Sequence, residues 1–142
     1  MLADAPTLLI TDDDSSFRET LQALFEPRGF RTLQAGDGGE ALRIVRSESI
    51  HLILLDLHMP RVGGLETLRE VKSFKSILPC IVMSAGLDPE TIAEVREAQA
   101  YSVLPKPVTR DEVTSSVAAA MWDAYGWRWN GLGAARTDAD ES

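Results

Sequence analysis

The chain has 142 residues, 44% hydrophobic and 25% charged, an ordinary composition for one globular domain. Fourteen Lys and Arg against 22 Asp and Glu leave a net charge of −8, which argues against a nucleic-acid surface and against an anionic membrane surface. Cys80 is the one cysteine, MLADAPTLLI lacks the features of a signal peptide, and no stretch approaches the ~20 apolar residues of a membrane helix, so a reducing, cytoplasmic setting is expected.

Short apolar runs alternate with amphipathic stretches along the chain. Thr7–Ile10 ends in acids and reads as a strand. Ser15 or Ser16 can cap the next segment, where Phe17, Leu21, Leu24 and Phe25 recur on one helical face. Pro27 and Gly29 stop that helix, and Phe30–Gln34 is a second, weaker strand. Asp37 can cap a helix carrying Ala41, Leu42 and Val45. Leu52–Leu55 is a continuous apolar run, the pattern of a strand covered on both faces. Gly63 and Gly64 break the chain before a third helix marked by Leu65, Leu68 and Val71. Cys80–Met83 is a second continuous apolar strand. Asp88 can cap, and Pro89 open, a fourth helix with Ile92 and Val95 inward. Tyr101–Leu104 is the fifth strand, and Thr109 can cap a last helix bearing Val113, Val117 and Met121.

Five strands alternating with five helices imply a parallel sheet with helices on both faces. Sites in such sheets form beyond the carboxyl ends of the strands. Asp12-Asp13-Asp14, Asp56, Ser84-Ala85 and Lys106-Pro107 stand at those ends. Each has a plain reading alone: acids before a helix, a turn aspartate, a strand-end hydroxyl, a solvated lysine. Their coincidence on one sheet edge is harder to explain that way, because close carboxylates repel. A divalent cation resolves the repulsion, and an all-oxygen set suits Mg²⁺ or Mn²⁺. His58 fits such a set through its backbone carbonyl better than through its ring. With a metal present, one carboxylate can attack phosphorus to give an aspartyl phosphate. Lys106 and Ser84 suit the charge that builds on the transferring group.

The segments LLITDDDSSF (8–17), GDGGEAL (36–42), LILLDLHMPRVGGLE (52–66), IVMSA (81–85) and LPKP (104–107) together resemble a receiver domain of the response-regulator family of two-component signalling. Four of these fall in order at strand ends, which makes the set specific. The resemblance implies a single doubly wound, flavodoxin-like (βα)5 domain with sheet order 2-1-3-4-5. It implies that Asp56 accepts a phosphoryl group, that Asp13 binds the metal directly and Asp12 through water, and that His58 offers its carbonyl. Ser84 matches the hydroxyl that follows the phosphoryl group, Lys106 the lysine that contacts it, and the Lys106–Pro107 bond is expected to be cis. Asp14 lies outside the pair as a solvent-facing or capping residue. The side chain of His58 stands where the family tunes how long the phosphoryl group lasts. The implied donor is a histidine kinase or phosphotransfer protein, and the implied output is a protein contact through the fourth helix, fifth strand and fifth helix. Whether the chain forms a homodimer is open. The domain assists its own phosphorylation but is not expected to be an enzyme toward external substrates.

One departure stands out. Relatives carry Tyr or Phe three residues before the lysine, and this chain has Val103, with Tyr101 two residues earlier. Val103 is stiff at χ1, so switching is expected to rest on the loop after Ser84 and on the fourth helix. Residues 1–126 are expected to form the receiver and 127–142 a Trp-containing extension and flexible tail, with no output domain. Trp122 is expected to pack at the end of the last helix, with Trp127 and Trp129 covering the body. Two other readings are weaker. A haloacid-dehalogenase-like phosphatase would need an Asp where His58 stands. A non-phosphorylated binding module would not need Asp12, Asp13, Asp56, Ser84 and Lys106 together.

Overall fold

Leu8–Ile10, Leu52–Leu55 and Cys80–Met83 are buried throughout, and these runs form the three inner strands of a five-stranded sheet. The structure, a computed structural model, describes residues 4–129. Its elements are β1 (Thr7–Thr11), α1 (Ser15–Phe25), a 3₁₀ turn (Glu26–Arg28), β2 (Arg31–Ala35), α2 (Gly38–Ser47), β3 (Leu52–Asp56), α3 (Gly64–Phe74), β4 (Cys80–Ser84), α4 (Pro89–Glu97), β5 (Ser102–Pro105) and α5 (Arg110–Tyr125). The strands pair in parallel in the order β2-β1-β3-β4-β5, as expected. β2 and β5 each begin one residue later than the sequence pattern suggests. The ladder opens at Thr7↔Arg31 and Ile81↔Ser102, which leaves Phe30 and Tyr101 just outside it.

Alternation along the strands divides the interior in two. Leu8, Ile10, Leu52, Leu54, Ile81 and Met83 meet Phe25, Val117 and Met121 on the α1/α5 side. Leu9, Ile53, Leu55, Cys80 and Val82 meet Ala41, Val45, Leu68, Val71 and Val95 on the α2/α3/α4 side. Each such aliphatic side chain contributes about 1.5–3 kcal/mol on burial. Cys80 is part of this packing, and burial pushes its thiol up to about 12, so it serves as a small core residue rather than a reactive one.

Asp37, Asp88 and Thr109 cap α2, α4 and α5 as the sequence suggests, Thr109 within a capping box with Glu112. The α1 cap differs. Asp14, not a serine, accepts the Ser16 and Phe17 amides at 3.0 and 3.3 Å, and Ser15 and Ser16 lie inside the helix. A carboxylate facing the free amides also meets the positive end of the helix dipole.

At the chain end Trp127 and Trp129 cover the body as expected, and Trp122 departs from expectation. α5 stops at Gly126, whose φ of +63° is left-handed, and the chain doubles back. Trp129, 7% exposed, lies with its ring centroid 6.4 Å from both Phe25 and Phe30. Trp127 meets Phe30 at 5.0 Å. Both belong with the packed body, which therefore reaches past residue 126. Trp122 is 50% exposed, because the reversed chain covers the body elsewhere, and Arg128 stacks over its ring at 4.1 Å. The expected tail, 130–142, lies outside the described residues.

Opposite the carboxyl edge, His51 ties three elements together. Its Nδ1 accepts the Thr7 amide at 2.9 Å, and its carbonyl accepts the Tyr125 hydroxyl at 2.7 Å. An accepting Nδ1 requires the neutral ring. Burial, with a smaller push from Lys75, lowers the His51 pKa below its ordinary value. The folded state therefore binds this proton less readily than the unfolded chain. The resulting stability is present above the unfolded pKa near 6.5 and is lost as pH falls through the lower folded value. Wild type is expected to lose more melting temperature than His51→Gln between neutral and mildly acid pH. Parallel pH profiles for the two proteins would remove His51 as the cause.

Candidate functional site

Parallel pairing brings the strand ends level, and the chemistry gathers at the carboxyl edge. Asp56 ends β3 and Ser84 ends β4, while Asp12 and Asp13 follow β1 and Lys106 follows β5. Three further ladder-like bonds hold the exits in place: Asp12 N–H to Ala35 O, Leu57 N–H to Met83 O, and Lys106 N–H to Ser84 O. The Lys106–Pro107 bond is cis, as expected.

Asp12, Asp13 and Asp56 each offer a carboxylate oxygen within 4.8 Å of the others. Asp12 is fully buried and Asp56 nearly so, while Asp13 is exposed. Lys106 Nζ donates to Asp12 Oδ2 at 2.7 Å and lies 3.4 Å from Asp56 Oδ1. Burial pulls the Lys106 ammonium down, but Asp12 and Asp56 together outweigh it and hold its pKa above the usual lysine value. Burial, then repulsion from Asp12, raises the Asp56 pKa against the pull of Lys106 and the His58 amide. One ammonium among three carboxylates leaves the pocket short of positive charge.

Several supporting residues carry no mark in the sequence. Arg18 Nη1 donates to the Asp12 carbonyl at 2.6 Å, and its Nε to Gln34 at 2.9 Å, which anchors the acidic loop on β2. Phe17, expected only as core, lies under Lys106 with Nζ 4.8 Å from its ring centroid. Gly64 opens α3 hard against the end of β3: a Cβ there would collide with the Asp56 carbonyl oxygen and fall 2.5 Å from Leu57 Cα. The His58 imidazole is not free, since its Nε2 lies 3.0 Å from Ser84 Oγ. Tyr101 points away from the site, its hydroxyl donating to Asp123 at 2.6 Å. Val103 is half-buried against the α2/α3/α4 core, so no aromatic ring occupies that place on β5.

A family model, the response regulator receiver domain, matches residues 8–118. The chain belongs to the response-regulator receiver family. Receivers are the phosphoacceptor domains of two-component signalling, supplied by histidine kinases or phosphotransfer proteins. This receiver is 36% identical over 116 residues to the CAI-1 autoinducer sensor kinase/phosphatase CqsS of Vibrio cholerae, covering 79% of this chain and 17% of the kinase. It is 34% identical over 110 residues to sporulation initiation phosphotransferase F of Bacillus subtilis, covering 78% of this chain and 89% of that one. Among solved structures, the CheX-CheY-BeF3-Mg²⁺ complex from Borrelia burgdorferi superposes with a TM-score of 0.78 at 25% identity, over 82% of this chain and 89% of that one. The receiver spans only 17% and 27% of the length of the first two curated relatives it matches. No helix among its described residues is long and apolar enough to cross a membrane.

Proposed function

We propose that this receiver takes a phosphoryl group from a histidine kinase or phosphotransfer protein onto Asp56 and thereby switches a protein-binding surface. The observation that carries the reading is the meeting of Asp56 with Asp12, Asp13 and Lys106 at one sheet edge. Asp12, Asp13 and Asp56, with the His58 carbonyl, are the groups that would hold Mg²⁺ or Mn²⁺. Their fit rests on an all-oxygen donor set whose charge Lys106 alone does not balance. When bound, the ion supplies positive charge against the carboxylates and the entering phosphoryl oxygens.

An Asp56 carboxylate oxygen bonds to phosphorus as the donor's P–N bond, or the P–O bond of acetyl phosphate, breaks. The electron pair leaves with the imidazole or acetate. Lys106 is the cation in reach of the new phosphoryl group, and the Ser84 hydroxyl is a donor that can turn to it. Output through α4, β5 and α5 is supported by how lightly α4 and β5 are held against the firmly packed α5. α4 buries Val95 alone, and Ser102, Val103 and Leu104 are half-buried, so small changes at Ser84 and its loop can move them. The lone cysteine is buried and forms no disulfide among the described residues, which fits a cytoplasmic setting.

Incubation with acetyl phosphate and Mg²⁺ tests the reading. An adduct that is stable in acid, labile in base, not formed when the metal is chelated beforehand, and mapped to the β3 peptide is expected. Steady hydrolysis of unrelated phosphate esters would favour a phosphatase instead, and no adduct from any donor would favour a binding module.

A further inference from the structure

Ser84 is 1% exposed, and both contacts to its hydroxyl lie on the side of the loops. Its Oγ is 3.0 Å from His58 Nε2 and accepts the Gly86 amide at 3.1 Å. Among the described residues, neither Asp56 nor Lys106 bonds to it. These two contacts fix the hydroxyl whichever of Nε2 and Oγ supplies the proton between them. The imidazole also lies against the start of the β4–α4 loop, since a Cβ on Gly86 would meet Nε2 at 3.5 Å. His58 therefore bridges the loop after β3 to the loop after β4. α4, which follows that second loop, is anchored by a single buried residue.

We propose that His58 is a positioning residue for the switch, its imidazole holding the Ser84 hydroxyl and the β4–α4 loop in the unphosphorylated receiver. The inference rests on the roles of Asp56 and Ser84 given under Proposed function and adds the group that opposes them. Turning Ser84 toward a phosphoryl group on Asp56 swings its oxygen off the imidazole. A contact made in one state only lowers the population of the other, and with it the apparent affinity for whatever binds that other state.

The test is calorimetric titration with beryllofluoride at saturating Mg²⁺, in a cycle of wild type, His58→Ala, Ser84→Ala and the double variant. His58→Ala is expected to tighten beryllofluoride binding roughly three- to tenfold, the net worth of one partly exposed hydrogen bond. It is expected to have no effect in the Ser84→Ala background, and His58→Gln, whose amide can still hold the hydroxyl, should fall near wild type. A merely structural role for His58 would move both backgrounds alike. Unchanged or weakened binding in His58→Ala, or equal shifts with and without the Ser84 hydroxyl, would overturn the inference while leaving the phosphoacceptor reading intact. A wild-type protein that binds no beryllofluoride, like Asp56→Asn, would overturn that reading and this one with it.

Discussion

Asp56→Asn is expected to abolish the base-labile adduct completely and, at the same time, to raise the melting temperature. The loss follows from chemistry, because an amide oxygen is no nucleophile toward a phosphoryl donor at neutral pH. The gain follows from the electrostatics of the pocket. Burial and the neighbouring Asp12 raise the Asp56 pKa, so the folded state disfavours the ionised form. For a carboxyl raised in this way, the favourable contribution is full below the unfolded pKa and fades as pH climbs through the folded one. At neutral pH the ionised Asp56 therefore works against folding, and Asn removes that opposition while keeping the shape. A gain of about 1 kcal/mol would appear as roughly 3–5 °C in a domain of this size. The difference between variant and wild type should shrink as pH is lowered, and added Mg²⁺ should raise the wild-type melting temperature more than that of the variant. A melting temperature at or below wild type at neutral pH would show that the pocket tolerates the charge.

Gly64→Ala is expected to disable the site without touching any of its chemical groups. The added carbon would collide with the Asp56 carbonyl oxygen and the Leu57 backbone, and a backbone cannot rotate aside as a side chain can. Overpacking of this kind costs about 1–3 kcal/mol when side chains yield and more when they do not, which places Gly64→Ala at or above the upper end. The collision falls where β3 ends at Asp56 and the loop carrying His58 begins, so phosphorylation should slow along with the loss of stability. Gly63→Ala is the control, because a Cβ there meets nothing within 4 Å. Comparable melting curves and adduct rates for the two variants would sink the argument.

The fold was legible because the inner strands are continuous apolar runs, and the turn residues between them leave little freedom of assignment. The carboxylates, Ser84 and Lys106 were legible because each adjoins the end of a strand, and parallel pairing brings all such ends to one edge. What stayed hidden depends on reach rather than spacing. Arg18 acts by crossing from α1 to β2, and Phe17 by lying beneath a lysine 89 positions away in the chain. His58 reaches Ser84 only because two loops fold toward each other. The α1 cap was ambiguous among adjacent residues, and the ladder decides it: β1 runs to Thr11, which leaves Asp14 at the helix entrance. Trp127 and Trp129 cover the body as expected, and only Trp122 departs, because helical periodicity cannot tell whether a ring near a helix end finds a partner.

The reversal of the chain at Gly126 governs what light can report. Phe25 ends α1 and Phe30 precedes β2, so the two indoles packed on them sit at the amino edge of the sheet, with the whole strand length between them and Asp56. The third, Trp122, is half exposed beneath a guanidinium. Intrinsic fluorescence of this protein is thus a gauge of whether its far corner is closed, and a poor witness to chemistry at the opposite edge.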